Sequence, residues 1–192
     1  MNKTALIMID MQRGFIDPSS PICIAGAAGT VPACAEAIRF FHEAKLPVFY
    51  AVRHYRADGS DVEKCRRAVW LAGGKPLSEE CEACMSDAYP EEFEVMESDY
   101  RIVKPRFSGF FGTPLDLILR RLGVDTVILA GTTTPNCIRT SCYDALSLDY
   151  DAIVLSDCTS SVTEEVQRAN LGDMERIGAQ IETVEGLRAL LG

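Results

Sequence analysis

The chain is short of positive charge, of long apolar runs and of internal repetition, and each shortage closes off a class of function. Nineteen lysines and arginines stand against 28 acidic residues, a formal charge of −9. Nucleic acid and anionic membranes are therefore not expected as partners, because both are held through basic surface. No apolar stretch approaches the roughly 20 residues that cross a bilayer. The start, Met1-Asn2-Lys3-Thr4 followed by Ala5 to Ile9 and then Asp10, is too short for the core of a signal peptide. A cytoplasmic setting is the expectation. No repeat or low-complexity tract is present, so an array of repeating units is not expected either.

Cysteine is not scarce, at eight residues, but the settings that give cysteine pairs a role are missing. Without an export signal, reduced thiols are expected rather than disulfides. Cys81-Glu82-Ala83-Cys84 is a lone CxxC, with no second pair at zinc spacing and no strand-then-helix setting of a redox motif. It reads as structural or incidental; a thiol redox protein built on it is a minor reading.

What is present is the composition of a globular protein, 47% hydrophobic and 24% charged over 192 residues, enough for one domain (1–192) with a sizeable core. Ala5 to Ile9, Pro47 to Val52, Tyr100 to Val103, Thr126 to Ala130, Ala152 to Leu155 and Gln180 to Val184 read as six strands. Helical stripes fall between them. Ala37, Ile38, Phe41 and Ala44 share a face within Ala33 to Ala44, and His42 falls on the polar side. Leu115, Ile118, Leu119 and Leu122 form a stripe that stops at Gly123. Ile138, Cys142, Ala145 and Leu146 form a third, and Val162 to Ile177 is a further helix. Strands alternating with helices predict a three-layer α/β/α, Rossmann-like fold with a doubly wound, mainly parallel six-stranded sheet.

Residues 54–99 break the alternation. Ser60-Asp61-Val62-Glu63 has capping-box form and predicts a helix running to Leu71, before Gly73-Gly74. An acidic, cysteine-bearing stretch follows. The segment is expected as an insertion over the sheet, serving as site cover or subunit contact.

In open parallel sheets, ligands bind beyond the carboxyl ends of the strands. Three residues stand at this edge of the sheet. Asp10 follows the first strand, Lys104 the third, and Cys137 opens the helix after the fourth, in Gly131-Thr132-Thr133-Thr134-Pro135-Asn136-Cys137. With Thr134 as N-cap and Pro135 at the first helical position, Cys137 becomes the third helical residue. Free amides and the helix dipole there favour a thiolate, so a lowered thiol pKa is expected. Alone, each residue has a bland alternative: a capping aspartate, a solvated lysine, a small buried hydrophobe. Together they make coherent chemistry. Asp10 can take the thiol proton, Lys104 can hold both anions, and free N–H groups can bind an oxyanion. The only histidines are His42 and His54, and of these only His54 follows a strand within reach.

These pieces resemble the isochorismatase-like cysteine hydrolase superfamily. The blocks that carry the resemblance are Asp10-Met11-Gln12 with Phe15, then Lys104 to Phe110, then Gly131 to Ala145, in that order across nearly the whole chain. The resemblance implies that Asp10, Lys104 and Cys137 are the catalytic triad. It also implies a cis peptide between Thr132 and Thr133, and an oxyanion hole made by the Thr133 and Cys137 amides. Gln12, Phe15, His54, Phe107, Phe110, Thr134 and Tyr143 are the candidate substrate contacts.

Two departures narrow the expected activity. Cys137 favours hydrolysis of a C–N bond through a thioester over cleavage of a vinyl ether. Nicotinamidase-like members carry a metal-binding Asp-x-His, whereas Arg53-His54-Tyr55-Arg56-Ala57-Asp58 does not. A metal-free, cofactor-free hydrolase of a small amide, ureido or carbamoyl compound is therefore expected. The alternatives are a nicotinamidase-type amidase and a catalytically silent binding module of the same fold. The resemblance further implies a homodimer or homotetramer.

Overall fold

The computed structural model describes residues 3–81 and 88–191. Six parallel strands form one sheet in the order β3-β2-β1-β4-β5-β6. They are β1 (Lys3–Ile9), β2 (Val48–Val52), β3 (Tyr100–Val103), β4 (Val124–Thr132), β5 (Asp151–Ser160) and β6 (Gln180–Glu182). The order reverses between β1 and β4. The crevice at the carboxyl ends of these two neighbours is where a doubly wound sheet accepts a ligand.

Alternation along β1 explains the two faces. Ala5, Ile7 and Ile9 join a core layer with α4 (Leu115–Leu122), α5 (Arg139–Ser147) and Met174 of α6 (Glu164–Arg176). Leu6 and Met8 point the other way, into a layer with α2 (Ala27–Glu43) and α7 (Val184–Leu191). β1 is buried along nearly its whole length, as expected for a strand covered on both sides.

Several boundaries differ from the sequence reading, each for a tertiary reason. Helix α2 begins at Ala27 and passes through Pro32, because Ala27, Thr30 and Val31 continue the face buried by Cys34, Ala37 and Ile38. β5 runs on past Leu155. The β4–β5 register jumps from Leu129↔Val154 to Gly131↔Thr159, so β5 bulges away from β4 there and Thr159 and Ser160 pair again. Val184 opens α7 rather than closing β6; its amide donates to the Asp157 carboxylate, and Thr183 Oγ1 accepts from the Gly186 amide. His42, expected on the polar side of its helix, has its ring 2.9 Å from the Asp99 carboxylate and is largely covered. A short α1 (Arg13–Ile16) follows Gln12.

The capping box is not used. Helix α3 spans only Arg67–Ala72. Glu63 is drawn instead to Arg53, and the Ser60 amide donates to Asp58. A buried ion pair ten residues away outcompetes a local cap. Around it, Tyr55, Val62, Trp70 and Leu77 pack with Phe15 into a small core of their own. Of the CxxC pair, Cys84 lies outside the described residues.

Candidate active site

Gly131 sets the geometry at the switch point. Its φ is 115°, and a Cβ there would come 2.0 Å from the Ile9 carbonyl oxygen. Only glycine lets β4 lie this close to the end of β1. The peptide bond between Thr132 and Thr133 is cis. Thr133, not Thr134, stands before the helix, and a π-helical turn over Thr134–Ile138 precedes α5. Cys137 is thus the fourth residue of that turn. The Thr134 hydroxyl donates to the Ser160 carbonyl at 2.9 Å rather than capping.

Asp10 leaves β1 with a φ of 52°, a left-handed conformation that aspartate tolerates better than most residues. Its amide donates to the Ala51 carbonyl of β2, which fixes the turn. Lys104 leaves β3 with its amide on the Val52 carbonyl. The lysine is fully buried, and its Nζ donates to Asp10 Oδ2 at 2.8 Å, to the Phe107 carbonyl at 3.2 Å and to the Arg106 carbonyl at 3.3 Å. The same Nζ lies 3.5 Å from Cys137 Sγ. Asp10 Oδ1 has no hydrogen-bond partner among the described residues. Three side chains from three strand ends therefore meet at one point, and one carboxylate oxygen among them is left open.

A fourth residue joins them that the sequence reading passed over. Arg53 directly follows β2, and it is fully buried. Its Nη2 lies 3.9 Å from Cys137 Sγ and its Nε 3.8 Å from Asp10 Oδ2. Nη1 donates to the Tyr55 hydroxyl at 2.5 Å and to the Glu63 carboxylate, which also accepts from the Tyr55 hydroxyl at 2.8 Å. Burial works against the arginine charge, but Asp10, Cys137, Tyr55 and Glu63 outweigh it and raise its pKa. Glu63 is held below the ordinary carboxylate value, because Arg53 and its hydrogen bonds overcome burial. A charged residue directly after a buried strand was the signal that identified Asp10 and Lys104. The same rule applied to β2 names Arg53.

The expectation of an acidic thiol is not met. Burial and then the Asp10 charge raise the Cys137 pKa, and Lys104 and Arg53 only partly oppose them. Desolvation and a facing carboxylate outweigh the pull of the helix start.

Cys137, Asp10, Arg53 and Thr133 line a pocket of about 60 Å³. Phe15, Ile24 and Arg66 border both this pocket and a second one of about 400 Å³, whose walls include Tyr55, Val62, Trp70 and Leu77. Thr133, expected in the oxyanion hole, lines the small pocket, and of the expected substrate contacts Phe15 does too. The others are placed elsewhere. Both ends of the Gln12 amide pair with the Arg53 backbone at 2.8 Å. The His54 ring lies 3.8 Å from the Glu79 carboxylate. Phe110 is buried in the core against Tyr150. The Tyr143 hydroxyl accepts from Arg139 Nε at 3.2 Å on α5. The Phe107 ring lies under the guanidinium groups of Arg53 and Arg66. Among the described residues, no group of three or more histidine, cysteine, aspartate or glutamate side chains is gathered to hold a metal ion. No described helix is long and apolar enough to cross a membrane.

A fully parallel, doubly wound sheet with a thiol, a carboxylate and an ammonium at its switch point defines an α/β fold of the isochorismatase-like type. The chain belongs to the isochorismatase family, matching the Isochorismatase domain over residues 4–186. An isochorismatase family protein from Desulfovibrio vulgaris has the same fold, with a TM-score of 0.91, 40% identity, and coverage of 100% of this chain and 99% of its own. The maleamate amidohydrolase of Pseudomonas putida is 31% identical, covering 99% of this chain and 89% of that protein. A protein of Arabidopsis thaliana described as a probable inactive nicotinamidase is 35% identical, over 94% of this chain and 92% of its own length.

Proposed function

We propose that the chain is a cysteine amidohydrolase that cleaves the C–N bond of a small amide, ureido or carbamoyl compound through a thioester. The observation that carries this reading is the Lys104 Nζ, which contacts Asp10 at 2.8 Å and Cys137 at 3.5 Å beside a pocket at the sheet's switch point. The name of the maleamate relative supports the reaction class.

The geometry suits a proton that shuttles through Asp10. The Asp10 carboxylate takes the Sγ proton as sulfur attacks the substrate carbonyl carbon. Lys104 and Arg53 then face the anion wherever it stands, on oxygen or on sulfur. The amides of Thr133 and Cys137 receive the oxyanion of the tetrahedral intermediate. Collapse breaks the C–N bond, and Asp10 returns its proton to the departing nitrogen. Asp10 next takes a proton from water, whose oxygen attacks the thioester. The acid leaves, and Cys137 recovers its proton.

The test is a screen for ammonia release over amides, ureas and carbamoyl amino acids, with Cys137→Ala as the blank. Turnover that is lost in the variant supports the reading. Full turnover in Cys137→Ala would refute the nucleophile. The description of the Arabidopsis relative as inactive favours a second reading, a catalytically silent module. That reading predicts no release from any substrate and no preferential alkylation of Cys137 over the other thiols.

A further inference from the structure

The reacting centre is balanced in charge, and one cation beside it is not. Asp10 and Glu63 carry two negative charges, and Lys104 and Arg53 two positive ones in contact with them. With the Cys137 thiol protonated, this inner set sums to zero. Arg66 lies just outside it. Its side chain lines the pocket that holds Cys137, yet it makes no ion pair or hydrogen bond among the described residues. Its recorded contact is the Phe107 ring, 4.7 Å from the guanidinium carbon to the centroid. A ring face holds a guanidinium in place without neutralising it. In a chain with a formal charge of −9, this is a local feature and not part of a general basic surface.

Its location gives the charge a use. The inner pocket, at about 60 Å³, has room only for a small head group. Whatever the substrate carries beyond its reacting carbonyl leaves toward the 400 Å³ pocket, past Phe15, Ile24 and Arg66, which border both spaces. The other two are apolar, so the guanidinium is the polar group at that passage. Its planar fork matches a carboxylate in two parallel hydrogen bonds.

We infer that Arg66 determines specificity by pairing with a carboxylate that the substrate carries a short distance from its reacting carbonyl. The compounds turned over are then amide acids, such as half-amides of dicarboxylic acids or carbamoyl amino acids, in preference to neutral amides. This rests on the amidohydrolase reading, and the experiment keeps the two apart.

The first arm needs no turnover. Iodoacetate and iodoacetamide are nearly equal in size and differ in charge. Their rates of alkylating Cys137 are followed by mass spectrometry on the intact chain. The ratio of iodoacetate rate to iodoacetamide rate falls about tenfold or more in Arg66→Gln, the size of one hydrogen bond to a charged group, and Arg66→Lys recovers part of it. An unchanged ratio in Arg66→Gln overturns the inference, and so does an equal loss for both reagents, which marks a packing residue. The second arm compares the half-amide of butanedioic acid with butyramide. The parent prefers the acid, and Arg66→Gln loses that preference through a raised KM rather than a lowered kcat. If the parent hydrolyses neither amide nor any other, the amidohydrolase reading fails on its own, and the alkylation ratio still decides for Arg66.

Discussion

Lys104 Nζ stands 3.5 Å from Cys137 Sγ, with no exposure to solvent. A buried ammonium is costly unless an anion faces it throughout, and here Asp10 supplies that anion at 2.8 Å. In the proposed mechanism the negative charge moves from the Asp10 oxygen to the Cys137 sulfur, and the same lysine lies within reach of both.

Removing the ammonium should break that arrangement. Lys104→Met leaves Asp10 buried, with Arg53 Nε at 3.8 Å as its remaining cation. Loss of one partner of a buried pair costs about 3–5 kcal/mol. Urea unfolding should show the loss at pH 7; an unshifted midpoint would mean that the pair contributes little to stability.

Asp10→Asn separates acidity from catalysis. The Asp10 charge raises the Cys137 pKa, whereas Lys104 and Arg53 lower it. Neutralising Asp10 should therefore lower the thiol pKa and speed alkylation by iodoacetamide at neutral pH. Turnover should fall by about 10²–10⁴ for want of the proton carrier. Slower alkylation in the folded variant would contradict the shuttle.

The acid side of the stability profile should report on Glu63. Its folded pKa lies below the ordinary carboxylate value, because Arg53 opposes the effect of burial. Such a group adds stability above the unfolded pKa, and that stability is lost as pH falls through the depressed folded value. Glu63→Gln should cost about 3 kcal/mol at pH 7. The gap between variant and parent should narrow as the solution is acidified; a gap constant down to pH 3 would argue against the ion pair.

On the alkaline side the sign reverses. Burial raises the Cys142 thiol from 9.0 to about 12. Unfolding frees the thiol to ionise near its ordinary value, so this group's contribution is intact below about pH 9. It is lost progressively as pH rises from there toward 12. Denaturation midpoints at pH 8, 9, 10 and 11 should fall, and Cys142→Ala should fall less steeply. Parallel profiles would assign the decline to other groups.

How much was legible in the sequence differs between the strand ends and the pocket. Asp10 and Lys104 directly follow apolar residues and Cys137 opens the helix after the next strand, so a rule about strand ends finds them without any knowledge of neighbours. Arg53 obeys the same rule, but its partners do not announce themselves. Glu63 carries the signature of a helix cap, and only the folded chain shows that Arg53 claims it. Two of the aromatic candidates lie away from the small pocket for a related reason. Closeness in sequence to Lys104 or Cys137 does not say which way a ring points. Phe110 went to the core, and Tyr143 to a contact along its own helix.

The sequence by itself determined the alternation of strands and helices, the parallel sheet and the three residues at its ligand edge. Those features follow from local periodicity and from where apolar runs stop. Only the tertiary structure decided the rest: the direction in which the thiol pKa shifts, the contacts of Arg53 and Gln12, and the absence of an ion pair at Arg66 among the described residues. Each of these depends on burial and on distances between segments far apart in the chain, and Coulombic and desolvation energies are set in three dimensions. The helix start alone argued for an acidic cysteine. The folded surroundings of Cys137, burial first and then the Asp10 charge, shift its pKa the other way.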